Sequence, residues 1–173
     1  MTDLTFNNDP RRKQELRLRP ACDAIYKQHL HITRVKRFDN LQEDERHLLD
    51  RYHGIDVVLR LPNGAVVTGQ EKFLSHKFSK YETLTAEYYQ NQHTKEYGDW
   101  FKLASQFYFT GYESVEGGNF CKWVIVNWLS LITDRTLASK WNHNANKNGR
   151  ARASFIYIRF KDIPSRYIVA GNF

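Results

Sequence analysis

The chain has 173 residues, which is the length of one domain, and we treat residues 1–173 as a single unit. Lys and Arg number 26 against 19 Asp and Glu, so the net charge is +7, which favours phosphate polymers or anionic surfaces over acidic proteins as partners. No apolar run approaches the ~20 residues of a membrane span, and the N-terminus lacks the pattern of a signal peptide. We therefore expect a soluble, cytoplasmic protein that has no membrane partner.

The first predicted elements are helical and basic. Asp9 is a helix cap and Pro10 a first-turn proline, and the helix that follows carries Arg11 and Arg12 before Pro20 interrupts it. A second helical stretch is predicted through about residue 28.

The segments between this helix and the next element are shorter. Residues 31–38 alternate basic and apolar side chains, as in a half-exposed strand or an extended arm. Residues 41–52 are predicted to form a short helix that ends at Gly54.

A tight hairpin is predicted next. Residues 55–61 and 65–73 are rich in Val, Ile and Leu, and they flank Pro62, Asn63 and Gly64. A three-residue loop built on a type I turn favours proline at its first position and glycine at its last, where φ is positive. The three loop residues fit this pattern in order.

The loop length sets the register of the hairpin. If Leu61 pairs with Ala65, Asp56 lies opposite Gln70, and the two-residue period of a strand puts Lys72 on the same face. Arg60 shares the face of Asp56. The opposite face is expected to point toward a core, and it carries Glu71, Ile55, Val57 and Leu59.

A second register is the alternative. A two-residue loop would pair Asp56 with Glu71 and turn Lys72 to the other face. The Pro-Asn-Gly sequence favours the three-residue loop, and with it Gln70 and Lys72 as the partners of Asp56.

The remaining elements are a helix and several strands. Residues 80–92 place Tyr81, Leu84 and Tyr88 at helical spacing, which predicts a helix packed on the sheet. Residues 106–112, 120–132 and 153–163 are rich in aromatic and β-branched side chains and are interpreted mainly as strands. For residues 120–132 a buried helix is the alternative, because periodicity does not separate the two in an apolar run.

Residues 140–152 are polar, with four basic side chains and four asparagines, and are predicted to form a surface loop. Lys147, Arg150 and Arg152 there are candidate DNA contacts, as are Arg11 and Arg12 on the first helix. An ordinary solvated loop is the alternative. His143 lies between asparagines, as in His-Asn-His nucleases, but the further metal ligands that such a site needs are missing nearby.

The hairpin face carries groups suited to phosphodiester hydrolysis. Asp56 and the side-chain carbonyl of Gln70 are hard oxygen ligands of the kind that Mg²⁺ prefers, and Mn²⁺ is expected to substitute. Lys72 would position the attacking water and stabilise developing negative charge. No other lysine of the chain has Asp, Glu or Gln two positions before it. The alternative is an exposed strand pair with a salt bridge between Asp56 and Lys72.

At these residues the sequence resembles the PD-(D/E)XK, or restriction-endonuclease-like, nuclease superfamily. Asp56 matches the first aspartate, Gln70 the acidic position and Lys72 the lysine; glutamine at the acidic position also occurs in the Mrr-like branch. Ile55 stands where proline is frequent. The resemblance covers roughly residues 10–92. It implies an α/β fold whose restriction-endonuclease-like core has a central mixed β-sheet flanked by helices.

The resemblance also implies that another carboxylate compensates for Gln70. The family architecture favours Glu15 on the first helix, which would join Asp56 and Gln70 as a metal ligand. Asp50, upstream of the hairpin, and Glu87, on the following helix, are the alternatives.

These expectations combine in a Mg²⁺-dependent DNA endonuclease of restriction, homing, junction-resolving or repair type. One domain offers one active site, so cutting both strands requires a homodimer or tetramer. Arg60 would hold a phosphate near this site. The alternatives are a nucleic-acid-binding module without catalysis and a protein-interaction domain that uses an aromatic surface.

Overall fold

The computed structural model describes residues 9–38, 53–91, 93–101, 104–145 and 153–173. Two β-sheets and one long helix make up most of this part of the chain. The first sheet has six strands in the order β1-β2-β3-β6-β7-β10, and the second has four in the order β5-β4-β9-β8. Their bounds are β1 Arg34–Arg37, β2 Val57–Arg60, β3 Val66–Leu74, β4 Thr83–Asn91, β5 Glu96–Tyr97, β6 Phe107–Glu113, β7 Phe120–Asn127, β8 Asn142–Ala145, β9 Ser154–Arg159 and β10 Ile168–Asn172.

Helix α1 spans Pro10–Leu30 and starts as the sequence predicts. The Asp9 side chain accepts a hydrogen bond of 2.8 Å from the N–H of Arg11, and Pro10 occupies the first turn. The predicted interruption at Pro20 is wrong, because the helix continues through it. Pro20 is exposed, as is Leu16 one turn earlier, so the carbonyl group that loses its hydrogen bond lies on the solvent side.

The β2–β3 hairpin has the predicted register. Val57 pairs with Gly69 and Arg60 with Val66, so Asp56 lies opposite Gln70. Gly64 has a φ of +83°, as the last residue of the three-residue loop requires.

Strand β3 joins the hairpin to the rest of the first sheet. It runs parallel to β6, with Gln70 beside Tyr108 and Lys72 beside Thr110, whereas every other described strand pair of this sheet is antiparallel. The sheet is therefore mixed, and the α/β class with a mixed central sheet is confirmed. Helix α1 packs on one face of it.

The predicted helix over residues 80–92 is wrong. A 3₁₀ helix spans His76–Tyr81, and Thr83–Asn91 is strand β4 of the second sheet. Leu84 and Ala86 are fully buried, while Thr85 and Glu87 face the other way. This two-residue alternation, with threonine on the open face, prevails over the helical spacing of the tyrosines.

Two cores flank the first sheet. The helix-side core joins α1 to the sheet through Leu18, Cys22, Tyr26, Val57 and Leu59 together with aromatic residues of β6 and β7. Ile55, predicted to face a core, is instead half-buried at the edge of a cleft. The inter-sheet core lies between the two sheets and contains Leu84, Tyr108, Val126, Trp128 and Ile158 among others.

Three further predictions are settled in part. Residues 120–132 contain both alternatives, since β7 is followed directly by helix α2, Trp128–Thr133. The surface loop over residues 140–152 is wrong at its start, because Asn142–Ala145 pairs with β9 as strand β8. Gly54 has a φ of +61°, whereas the predicted helix over residues 41–52 lies outside the described residues.

Within the described ranges, no helix is both long enough and apolar enough to span a bilayer. On its second face the first sheet carries the four-stranded sheet, so α1 is the one long helix that flanks it in the described chain.

Candidate active site in a basic cleft

A wide cleft is lined by helix α1, by strand β3 and by the face of the second sheet that carries Thr85, Glu87 and Phe155. Its volume is about 1720 Å³, and strand β3 contributes Glu71, Lys72 and Phe73 to its lining. Nine basic and six acidic side chains line it, so the cleft has a positive balance although it contains several carboxylates.

Asp56 lies just before β2 and is fixed by two hydrogen bonds. Its N–H donates to the carbonyl of Gly69 at 3.0 Å, and its carboxylate Oδ2 accepts from the N–H of Glu71 at 2.8 Å. Because the Glu71 N–H is a main-chain group, the position of this carboxylate depends directly on the course of β3.

Gln70 is the residue opposite Asp56, and it is 5% exposed. Its side-chain Oε1 is buried and has no hydrogen-bond partner in the described part of the chain. An unpaired buried amide oxygen costs roughly 1–3 kcal/mol, so a bound hydrogen-bond donor or cation at Gln70 Oε1 would be stabilised.

Lys72 extends from the same face of β3 as Gln70. Its ammonium Nζ lies 5.5 Å from the ring centre of Phe155 on β9, and Phe155 is the cross-strand partner of Glu87. Burial lowers the pKa of Lys72 below its usual range, while the negative charges of Asp99, Glu87 and Asp56 oppose the shift. The negative charges of three carboxylates thus act on Lys72 in a site that disfavours its own charge.

Asp99 belongs to this group, and the sequence analysis missed it. The residue before it, Gly98, passes against the main chain of β4: a Cβ atom there would lie 2.4 Å from the carbonyl oxygen of Glu87. The N–H of Gly98 also donates a hydrogen bond of 3.0 Å to the main-chain carbonyl of Tyr88. A glycine directly before an aspartate is the one sequence signal of this approach, and it does not indicate which strand is approached.

Glu71 points to the opposite face of β3, as predicted. Its carboxylate accepts two hydrogen bonds of 2.8 Å from the guanidinium of Arg37 on β1, and Cys22 lies 3.5 Å away. Arg37 also donates to Asp23 at 2.6 Å. Burial acts to lower the pKa of Arg37, but the hydrogen bonds and charges of Glu71 and Asp23 outweigh it and raise that pKa. This network ties α1, β1 and β3 together behind the Asp56 side.

Glu15 lines the cleft, as its predicted role requires, but it is engaged by arginines. Its carboxylate is ion-paired with Arg12, at 2.8 Å, and with Arg19, both on α1. Glu87 lies on β4 rather than on a helix and lines the same cleft, whereas Asp50 lies outside the described residues. In the described ranges no three His, Cys, Asp or Glu side chains are arranged to hold a metal ion.

The predicted DNA-contacting residues are only partly brought together. Arg11 and Arg12 line the cleft on the side of α1. Arg60 shares a strand face with Asp56, but it is four residues further along, roughly 13 Å away, and does not line the cleft. Lys147, Arg150 and Arg152 lie outside the described residues.

The chain was compared with models of protein families, with curated proteins and with solved structures. None of the three comparisons finds a match.

Proposed function

We propose that the protein is a metal-dependent DNA endonuclease and that Asp56, Gln70 and Lys72 form its active site. One observation carries the proposal: Asp56 and the half-buried Lys72, which both line a large, basic cleft, share one hairpin face with the buried Gln70. The mixed sheet with α1 packed against it also supports a restriction-endonuclease-like core, which we include in the proposal.

The available oxygens fit a magnesium ion. Mg²⁺ binds through one or two carboxylates and keeps several waters or substrate phosphates as its other ligands, so a complete protein cage is not required. Asp56 offers a carboxylate oxygen, and Gln70 Oε1 is a hard neutral oxygen without a partner in the described chain. When bound, Mg²⁺ or Mn²⁺ would share the negative charge that builds up on the phosphate.

Lys72 has the properties of a group that acts on the attacking water. Its lowered pKa increases the fraction of unprotonated amine that is available to accept a proton at a given pH, and its ammonium form stabilises developing negative charge. Asp56 is held by the N–H of Glu71, so it keeps its orientation before DNA binds.

Glu87 is the best-supported additional carboxylate. It lines the cleft and its charge acts on Lys72, whereas Glu15 is bound by two guanidinium groups of its own helix. In this proposal Glu87 supplies the charge that Gln70 lacks, and Glu15 orients Arg12 and Arg19 toward the phosphate backbone.

DNA is the proposed substrate because basic side chains outnumber acidic ones across the cleft. Arg11 and Arg12 would contact phosphates from α1. We include self-association as a dimer or tetramer, since one candidate active site per chain is proposed and a duplex has two strands to cut.

Plasmid cleavage tests this proposal. Wild-type protein should nick or linearise supercoiled DNA with Mg²⁺ or Mn²⁺ and not with EDTA, and Lys72→Ala and Asp56→Asn should each reduce the rate at least about 100-fold. Lys140→Ala is the matched control, because Lys140 is exposed and does not line the cleft. Full activity of Lys72→Ala would disprove the site assignment.

A non-catalytic nucleic-acid-binding module is the second candidate. The observation that favours it is that the described residues contain no three-acid metal cluster. A plasmid that stays intact with both metals, while a gel shift still occurs, would establish this candidate instead of the nuclease.

A further inference from the structure

The rim of the cleft carries two exposed aromatic rings. Phe78 is 43% exposed and Tyr81 is 55% exposed, and both belong to the 3₁₀ helix that follows β3. Their rings are nearly parallel, with an angle of 28° and 6.5 Å between their centres. Both residues line the same cleft as Asp56 and Lys72. We call Phe78 and Tyr81 the aromatic rim.

Two lysines accompany the aromatic rim. The ammonium of Lys77 lies 4.9 Å from the ring centre of Phe78, and that of Lys80 lies 5.2 Å from the ring centre of Tyr81. Both lysines are exposed. A surface lysine of this kind rotates freely, so it can leave the ring for a phosphate when another planar group takes its place.

Exposed, nearly parallel rings beside exposed ammonium groups match the chemistry of an unpaired nucleotide. A base that is out of the double helix offers a flat face that stacks on Phe or Tyr, and its phosphate meets the ammonium groups. A paired base does not offer that face, because its neighbours in the duplex cover it. A perfect duplex would therefore use the lysines but not the rings.

We propose that the aromatic rim binds unpaired bases, so that the preferred substrate of the cleft is DNA containing unpaired nucleotides rather than perfect duplex. This inference rests on the proposed nuclease function for its biological meaning. The physical claim, preferential binding of unpaired bases at Phe78 and Tyr81, is independent of catalysis.

Binding measurements in EDTA test the binding of unpaired bases separately from metal-dependent cleavage. Two labelled DNA oligonucleotides, one a perfect duplex and the other the same duplex with a central unpaired bubble, are titrated with protein and followed by fluorescence anisotropy. Wild-type protein should bind the bubble about five-fold or more tightly than the duplex, as expected for at least one stacked base. Equal affinity for the two would overturn the proposal.

Variants locate the effect. Phe78→Leu with Tyr81→Leu keeps apolar side chains at exposed positions but removes the aromatic faces, so the preference for the bubble should disappear. Tyr97→Leu is the matched control: Tyr97 is 65% exposed and lies outside the cleft lining, and its loss should leave the preference unchanged. Loss of the preference in the control alone would place the stacking site elsewhere.

A spectroscopic signal distinguishes stacking from a general change in affinity. The adenine analogue 2-aminopurine, placed in the bubble, should lose fluorescence when wild-type protein saturates the DNA and should keep it with the double-leucine variant. Unquenched fluorescence with saturating wild-type protein would contradict stacking.

The outcomes also separate this inference from the proposed function. Cleavage with metal but no preference for the bubble would support the nuclease function and contradict the binding of unpaired bases by the aromatic rim. A preference for the bubble without any metal-dependent cleavage does the reverse.

Discussion

Lys72 combines a charged group with a site where burial opposes charge. Burial lowers its pKa, and Asp99, Glu87 and Asp56 limit that shift without cancelling it. Lysines whose pKa is lowered by burial beside specific carboxylates occur often at functional sites. The lowered pKa also has a measurable consequence for the stability of the fold.

The lowered pKa of Lys72 makes the free energy of unfolding depend on pH. In the folded chain Lys72 releases its proton below its ordinary pKa of 10.5, so between the lowered value and 10.5 the unfolded chain holds more protons. The free energy of unfolding therefore rises with pH through that window, and the penalty for the buried charge is fully present below it.

Replacing Lys72 by Met tests this. The variant should be more stable than the wild type at neutral pH, because the penalty is absent, and its advantage should shrink as the pH rises toward 10.5. Urea unfolding at several pH values between 7 and 10 measures the difference. Parallel stability curves for the two proteins would contradict a lowered pKa.

The site shows how far single residues can be predicted. Asp56, Gln70 and Lys72 were placed on one face because the geometry of a three-residue loop is local and its chemistry is written in adjacent residues. Asp99 was missed because its approach to Lys72 depends on the packing of Gly98 against β4. That contact joins two segments whose relation no local pattern encodes.

At the scale of elements, Arg37 and Glu71 link the edge strand β1 to β3. The pair is nearly buried, with side chains 10% and 5% exposed, and its two hydrogen bonds fix the orientation of both groups. Since the N–H of Glu71 also holds Asp56, the pair supports the candidate site from behind.

A double-mutant cycle tests the strength of this link. Arg37→Met should destabilise the protein by about 3 kcal/mol, because it leaves the carboxylate of Glu71 buried without its cation. Glu71→Gln should cost less, because Arg37 keeps its ion pair with Asp23. The double variant should lose less than the sum of the two. Urea unfolding gives all four free energies.

Arg166→Met serves as the control for a surface pair. Arg166 is 61% exposed, and its partner Asp134 keeps a hydrogen bond of 2.6 Å from Tyr167, so replacing Arg166 should lower the free energy of unfolding far less than replacing Arg37. Additive effects of the Arg37 and Glu71 variants would mean that the two side chains are not coupled.

Elements were predicted well where one local signal dominated. The capping pattern of α1 predicts its start, whereas Pro20 does not end the helix, because an exposed proline can remain in a helix that packing stabilises. In β4 the spacing of Tyr81, Leu84 and Tyr88 is compatible with a helix. Only the partner strand β9 makes the alternation of Leu84 and Ala86 decisive.

At the scale of the whole molecule, the cleft exists because a second sheet stands beside the first. One face of the second sheet packs in the inter-sheet core, and the face that carries Thr85, Glu87 and Phe155 lines the cleft together with residues of α1. The sequence did not predict this sheet, since two of its strands were assigned to a helix and to a surface loop. The site therefore has a wall that the hairpin alone did not imply.

With one proposed active site per chain, cutting both strands of a duplex requires either two chains or two successive cuts by one chain. If the active form is a dimer, linear plasmid should appear at a rate that rises with more than the first power of protein concentration below the dimerisation constant. Sedimentation should then show species heavier than the 20.5 kDa chain over the same concentrations. Adding excess Lys72→Ala protein should divert the product from linear to nicked DNA, because mixed dimers cut one strand. Linear product formed in proportion to concentration by a 20.5 kDa species would show instead that one chain cuts both strands in turn.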